Sequence, residues 1–227
     1  MMITDRKIYV MQRIQQAVVK GICTRYLVIE LEEFPKVEQL ISKFNLRYEA
    51  GMSSSTKARR RAGGEASTTL YVYRRLEKRK AGQARFWMVL LVSDGVGKVV
   101  EEENLISVRD TRRRLSLDGY ELVNDGKGWS WRMTKDMYQY WQECIRRVCA
   151  LAPERRKDSP AQPLIKGLAN TPGFRLARRQ VGVLFAQFRA EWKRLRPATE
   201  PMPALPTFLP YVRILPKTPK AKRASNG

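Results

Sequence analysis

Phe86–Val92 reads Phe-Trp-Met-Val-Leu-Leu-Val, seven residues without a polar side chain. The run is too short for a core helix, and its aromatic and β-branched residues favour a strand that is apolar on both faces and central in a sheet. Upstream, Leu70–Tyr73 alternates, Leu70 and Val72 facing one way and Tyr71 and Tyr73 the other. The two runs predict an antiparallel hairpin within Ser67–Gly95. Its connector carries Arg74, Arg75, Lys78, Arg79, Lys80 and Arg85 against one acid, Glu77, and Gly82 can take positive φ. A buried root with a cationic tip suits a polyanion.

Around this hairpin the periodicity predicts an α+β fold. A mainly antiparallel sheet of about five strands (near 26–33, 69–75, 86–92, 119–123 and 129–133) is packed by three main helices, 5–20, 134–151 and 172–196. Thr4 and Thr134 are read as N-caps of the first two, and Thr171-Pro172 as the opening of the third. Pro35 starts a short helix through Phe44. Asn124-Asp125-Gly126 marks the turn of a second hairpin. The implied organisation is a core domain over 1–152, a linker over 153–170, a basic amphipathic helix over 171–196 and a Pro-rich basic tail over 197–227.

Gly51–Ser67 reads as a basic loop, with three serines, Lys57, Arg59, Arg60, Arg61 and a Gly-Gly pair. Such composition does not repay its ordering entropy alone and predicts mobility until bound. In the tail, Leu-Pro recurs at 205/206, 209/210 and 215/216 beside Phe208, Tyr211 and Ile214. Proline forces extended geometry there, and the apolar residues predict that 204–216 packs on this domain or on another protein subunit.

The chain carries 44 Lys and Arg against 22 Asp and Glu, a net +22. The excess is clustered: +8 falls in residues 55–85 and +12 in residues 153–227. A third cluster, Arg112, Arg113 and Arg114, follows the central strand. In the last helix Phe174, Ala177, Val181, Leu184, Phe185, Phe188, Trp192 and Leu195 form an apolar stripe. At 100° per residue, Arg175, Arg178, Arg179, Arg189, Lys193 and Arg196 fall on its flank, with Gly182 among them. Gln180, Gln187 and Glu191 lie on the other side. Clustered charge predicts a binding surface for phosphates rather than general basicity. Tyr71 and Tyr73, and later Trp129 and Trp131, share strand faces beside arginines, an arrangement that can stack bases. Core packing is the competing reading, and for Trp87, Trp141 and Trp192 it is the expected one.

Catalysis is poorly supported. Histidine is absent, which removes the commonest general base and zinc ligand, and three cysteines (Cys23, Cys144, Cys149) cannot make a Cys₄ site. Asp94, Glu101, Glu102, Glu103, Asp110 and Asp118 offer carboxylates for magnesium, but without a nuclease spacing. Asp94-Gly95-Val96-Gly97-Lys98 lacks the full phosphate-loop pattern and reads as a turn, and Ser53–Ser55 has no base beside it. No catalytic residue, metal or cofactor is expected. No run reaches the about 18 apolar residues of a membrane span, MMITDRKIYV has no signal-peptide pattern, and unpaired cysteines suit a reducing compartment. The expected location is cytoplasmic, without a membrane partner.

The succession RFWMVLLVSDG, RRRLSLDGYELV and GWSWRMTKDMYQYW, closed by an Arg-rich helix and LPYVRILP, resembles uncharacterised accessory proteins of bacterial plasmids and integrative conjugative elements over roughly residues 70–216. The resemblance implies a setting, an element that replicates, transfers or defends its DNA, and no site residue. The expected function is therefore nucleic-acid binding in DNA processing of a mobile element, by phosphate neutralisation with aromatic stacking. Alternatives are an RNA-binding or scaffold subunit of a larger ribonucleoprotein, such as a CRISPR-type complex, and a small histidine-free nuclease.

Overall fold

The computed structural model describes residues 3–76, 83–151 and 160–212. The chain is α+β, with a mixed five-stranded sheet, a separate three-stranded sheet and seven helices among the described residues.

The five-stranded sheet is built from β1 (Ile3–Thr4), β2 (Arg25–Leu31), β3 (Thr68–Leu76), β4 (Ala84–Val92) and β5 (Ile106–Ser107), in the order β1-β3-β4-β2-β5. β4 is central: it pairs antiparallel with β3 along Thr68↔Val92 to Leu76↔Ala84, and with β2 along Arg25↔Val92 to Leu31↔Phe86. β1 runs parallel to β3, which makes the sheet mixed. Helix α1 (Lys7–Val19) carries the chain from β1 across to β2, and α2 (Phe34–Tyr48) begins the return to β3. Crossovers of one hand running in opposite directions put their helices on opposite faces of a sheet. Accordingly, Val10, Met11 and Ile14 of α1 pack with Tyr26, Tyr73, Trp87, Val89 and Leu91. Val37, Phe44 and Tyr48 of α2 pack with Leu70, Val72, Phe86, Met88 and Leu90 on the other face. The all-apolar run of β4 is thus explained by burial on both sides.

The later strands do not join this sheet, as the single-sheet expectation had it. β6 (Ser116–Leu117), β7 (Tyr120–Asn124) and β8 (Trp129–Met133) form their own antiparallel meander. Its first turn is Asp118-Gly119, with φ of 45° and 82° and Leu117 paired to Tyr120. Positive φ at both central residues is the geometry of a two-residue hairpin turn whose twist matches its strands. Leu117, Tyr120, Leu122, Trp131 and Met133 are buried in the same cluster as the α1 face of the first sheet. Trp131 fixes the junction by donating its indole N–H to the Met11 carbonyl at 2.9 Å.

Three helices complete this layer: α5 (Lys135–Cys149), α6 (Ala161–Ala169) and α7 (Arg175–Leu195). Thr134 caps α5 as expected, accepting from the Met137 amide. The region read as a linker contains α6, whose Leu164, Ile165 and Leu168 are buried. Helix α7 begins three residues after the expected start. Its open amide at Leu176 donates to Ser130 Oγ at 3.2 Å. Gln180 bonds both the amide and the carbonyl of Met133, at 2.6 and 3.3 Å, so α7 covers the exposed edge of β8.

Gly51–Ser67 is not a loop. Ser54–Ala62 is α3, and Ser53 accepts the Thr56 amide as its N-cap. Once capped, lysine, arginine and alanine are good helix formers, which outweighs the polar composition. The short α4 (Lys98–Glu102) lies between β4 and β5.

Candidate nucleic-acid interface

The candidate cations separate into those the fold engages and those it leaves open. Lys57 donates to the Ala50 carbonyl at 2.8 Å and to Thr69 Oγ1 at 3.2 Å, and burial, followed by the nearby charge of Arg61, lowers its pKa. Arg60 pairs with Glu49, and Arg61 donates to Ser67 Oγ at 3.0 Å. Arg74 binds both oxygens of Asp5, at 2.7 and 3.0 Å, and Arg75 pairs with Asp118 while lying over the Trp87 ring. Arg113 and Arg114 pair with Asp110 and Glu121. Arg59 and Arg112 are exposed. Lys78, Arg79 and Lys80 lie outside the described residues.

The Tyr71/Tyr73 stacking platform is overturned. Both rings face the α1 side of the sheet: Tyr73 is buried and stacked on Trp87 at 5.5 Å, and Tyr71 packs half-buried against the same core. Burial pushes the Tyr71 hydroxyl up to about 12. Trp129 and Trp131 also pack inward, Trp131 completely buried. The shared-face reading was right, but the face is covered.

What survives is on α7. Ala177, Val181, Leu184, Phe185, Phe188 and Trp192 are buried as the stripe requires. Along the opposite side run Arg175, Arg179, Gly182, Ala186, Arg189 and Lys193, all exposed. The C-terminal arm, described to residue 212, lies beside this helix. Leu205, Leu209 and Val212 pack against the main core, and the Val212 amide donates to the Gly173 carbonyl at 3.1 Å. A Cβ at Gly173 would sit 2.1 Å from the Pro210 oxygen, so only glycine admits the arm there. The expectation that the arm packs holds for these described residues, but not through Phe208 and Tyr211, which are 64% and 62% exposed. Residues 213–216 lie outside the described part.

Helix and arm enclose a groove of about 450 Å³. Arg175, Arg178, Arg179, Gly182 and Arg189 line one side, Pro206 to Leu209 the other. Two of these cations are committed to holding the groove's shape. Arg175 grips both oxygens of Asp125 at 2.7 Å, which brings the Asp125 carboxyl down to about 2. Arg178 donates to the Leu209 carbonyl at 2.7 Å and sits over the rings of Phe208 and Tyr211. Arg179 and Arg189 extend from the same helix face across Gly182 and Ala186. Their ten-residue separation spans about 15 Å of helix. Gly182 is the floor: a Cβ added there meets no heavy atom within 4 Å. Lys193 continues the line beyond the groove. Arg196, expected on this flank, is instead buried, donating to the Val148 carbonyl at 2.7 Å.

Helix α7 also breaks a local rule. Its first turn holds arginines and no acid, where the helix dipole favours negative charge. Asp125 answers Arg175.

The carboxylates weighed for magnesium are dispersed. Asp94 accepts from Thr24, Glu102 and Glu103 bind Arg47, Lys43 and Tyr48, and Asp110 holds Arg113. Among the described residues no group of three metal-ligating side chains comes together. No helix there is long and apolar enough to cross a membrane.

No family model, curated protein or solved structure matches this chain.

Proposed function

We propose that the protein binds nucleic acid through the groove between α7 and the C-terminal arm. The observation that carries this reading is the pairing of Arg179 and Arg189 across an open glycine floor, with an exposed aromatic, Phe208, on the facing wall. Glycine inside a helix costs about 1 kcal/mol against alanine. Among the described residues nothing fills the space above Gly182, so the compensation comes from a ligand that approaches the backbone closely. A sugar-phosphate strand meets each requirement: anions for the two arginines, closeness at the saddle, and a base to stack on Phe208. The engaged arginines of β3 and α3 are half-exposed, and their charge is held by Glu49, Ser67, Asp5 and Asp118, so they add long-range attraction rather than a defined site. Sequence-specific readout is not part of the proposal. The setting in DNA processing of a mobile element is proposed from the sequence resemblance alone, and a role for the arm in holding a second protein subunit belongs with it.

Purified chain freed of nucleic acid is titrated into labelled single-stranded and duplex oligonucleotides. The expected result is binding that is insensitive to sequence and lost at high salt. Material copurifying with the chain, typed by DNase and RNase, assigns the polymer. A chain that neither copurifies with nucleic acid nor binds either probe at low salt overturns the proposal.

A further inference from the structure

A second cavity, of about 1020 Å³, is bounded by α1, α5, α6 and the arm residues Pro210, Tyr211 and Val212. Its polar end is formed by Lys7, Arg75 and Asp118. Asp118, whose side chain is only 4% exposed, receives Lys7 at 3.0 Å, Arg75, and the Tyr73 hydroxyl at 3.4 Å. Asp5 is at the mouth but already holds Arg74. With Arg6 also in the lining, three cations face two carboxylates, and the site keeps an excess of positive charge. Beside it the lining is apolar: Tyr120, Met137 and Trp141, with Pro172 and Pro210. Lys7 lies over the Tyr120 ring at 4.8 Å, so the cationic corner and the aromatic wall are contiguous.

Two glycines build these walls. A Cβ at Gly167 would come within 2.9 Å of the Trp141 ring, so this glycine lets the indole lie against α6. Gly173 admits the arm, which closes the cavity with Pro210, Tyr211 and Val212. The volume matches that of small-molecule sites, which run to about 1,000 Å³.

We infer that this cavity binds a nucleoside phosphate, with the base against Trp141 and Met137 and the phosphate at Lys7 and Arg75. A planar ring joined to an anion is the chemistry that uses both ends. The unit is either a free nucleotide or the phosphorylated end of a strand. Tyr211 links the two sites, since it lines the cavity and lies over Arg178 of the groove.

Calorimetric titration of the full chain with adenosine 5′-monophosphate, adenosine and inorganic phosphate tests this. One equivalent of the nucleotide binds, at least tenfold more tightly than either fragment. Lys7→Met loses at least tenfold for the nucleotide and nothing for adenosine. Ala169→Phe, which projects a ring into the cavity, abolishes binding of both; each variant is first shown to melt cooperatively. Competition by a 5′-phosphorylated but not a 5′-hydroxyl oligonucleotide identifies a strand end as the source, and absence of that preference identifies a free nucleotide. Arg179→Glu weakens oligonucleotide binding in the groove without touching nucleotide affinity, so the two sites fail separately. No nucleotide binding by the folded wild type, or binding that survives both cavity variants, overturns the inference.

Discussion

Replacing Gly182 by alanine should raise stability and lower affinity at once. The residue is interior to α7, its φ is not in the left-handed region, and an added methyl meets open space. The gain is therefore the intrinsic propensity difference, about 1 kcal/mol. For a chain of this length, that raises the melting temperature by about 2–4 °C. The methyl stands on the groove floor between Arg179 and Arg189, and it lifts a bound strand away from both. Hydrogen bonds to charged groups are worth about 1.5–3 kcal/mol. Weakening them by about 1 kcal/mol is about a fivefold loss of affinity. Scanning fluorimetry and fluorescence anisotropy at one fixed salt concentration measure the two quantities on the same preparation. A higher melting temperature with unchanged affinity would refute the reasoning, because the glycine would then be uncompensated and the face merely solvated. A lower melting temperature would refute the open floor itself.

Leu209→Ala should cost about 1 kcal/mol in chemical denaturation, a share of the full value for a buried leucine because Leu209 is half-buried. Phe208→Ala should change stability by less than about 0.5 kcal/mol, as surface substitutions do, yet weaken strand binding through lost stacking. The Asp125 carboxyl should titrate near 2 by carbon-detected NMR, and Arg175→Ala should raise it toward the ordinary value of 3.8, the backbone amide of Lys127 still holding it somewhat below. Because the folded value is depressed, the stability contributed by this pair is complete above about pH 4 and lost as pH falls toward 2. An Asp125 midpoint that Arg175→Ala leaves in place would show the pair to be absent in solution.

The sequence carries those features that depend on local period. Central β4, the alternating faces of β3, the Thr134 cap and the α7 stripe follow from spacing alone, and each is present. Period two also puts Tyr71 and Tyr73 on one face, but whether that face is wet depends on α1, about sixty residues away, which covers it. The same limit applies to charge. Arg74 meets Asp5, Arg75 meets Asp118 and Arg175 meets Asp125 across 69, 43 and 50 residues of sequence. A charge count along the chain cannot see such pairs, so it marked engaged and open arginines alike. Two signals were readable and missed. Asp118-Gly119 between apolar runs is a strong hairpin turn, and it both separates the second sheet and carries Asp118 to the cavity. Ser53 ahead of a lysine- and arginine-rich run is a helix cap, and it turns the supposed loop into α3.

The central claim, that α7 and not basicity in general holds the strand, is tested by the salt dependence of binding. The logarithm of affinity is measured against the logarithm of salt concentration for the wild type, for Arg179, Arg189 and Lys193 changed together to alanine, and for Arg59, Arg60 and Arg61 changed likewise. Each phosphate contact on a single strand contributes about 0.7 to the slope. The α7 triple should therefore flatten it by about 2 with every sequence tried, and the α3 triple, two of whose arginines are engaged by Glu49 and Ser67, by less than half of that. Equal flattening by both triples, or an unchanged slope in the α7 triple, would contradict the assignment of the site to this groove.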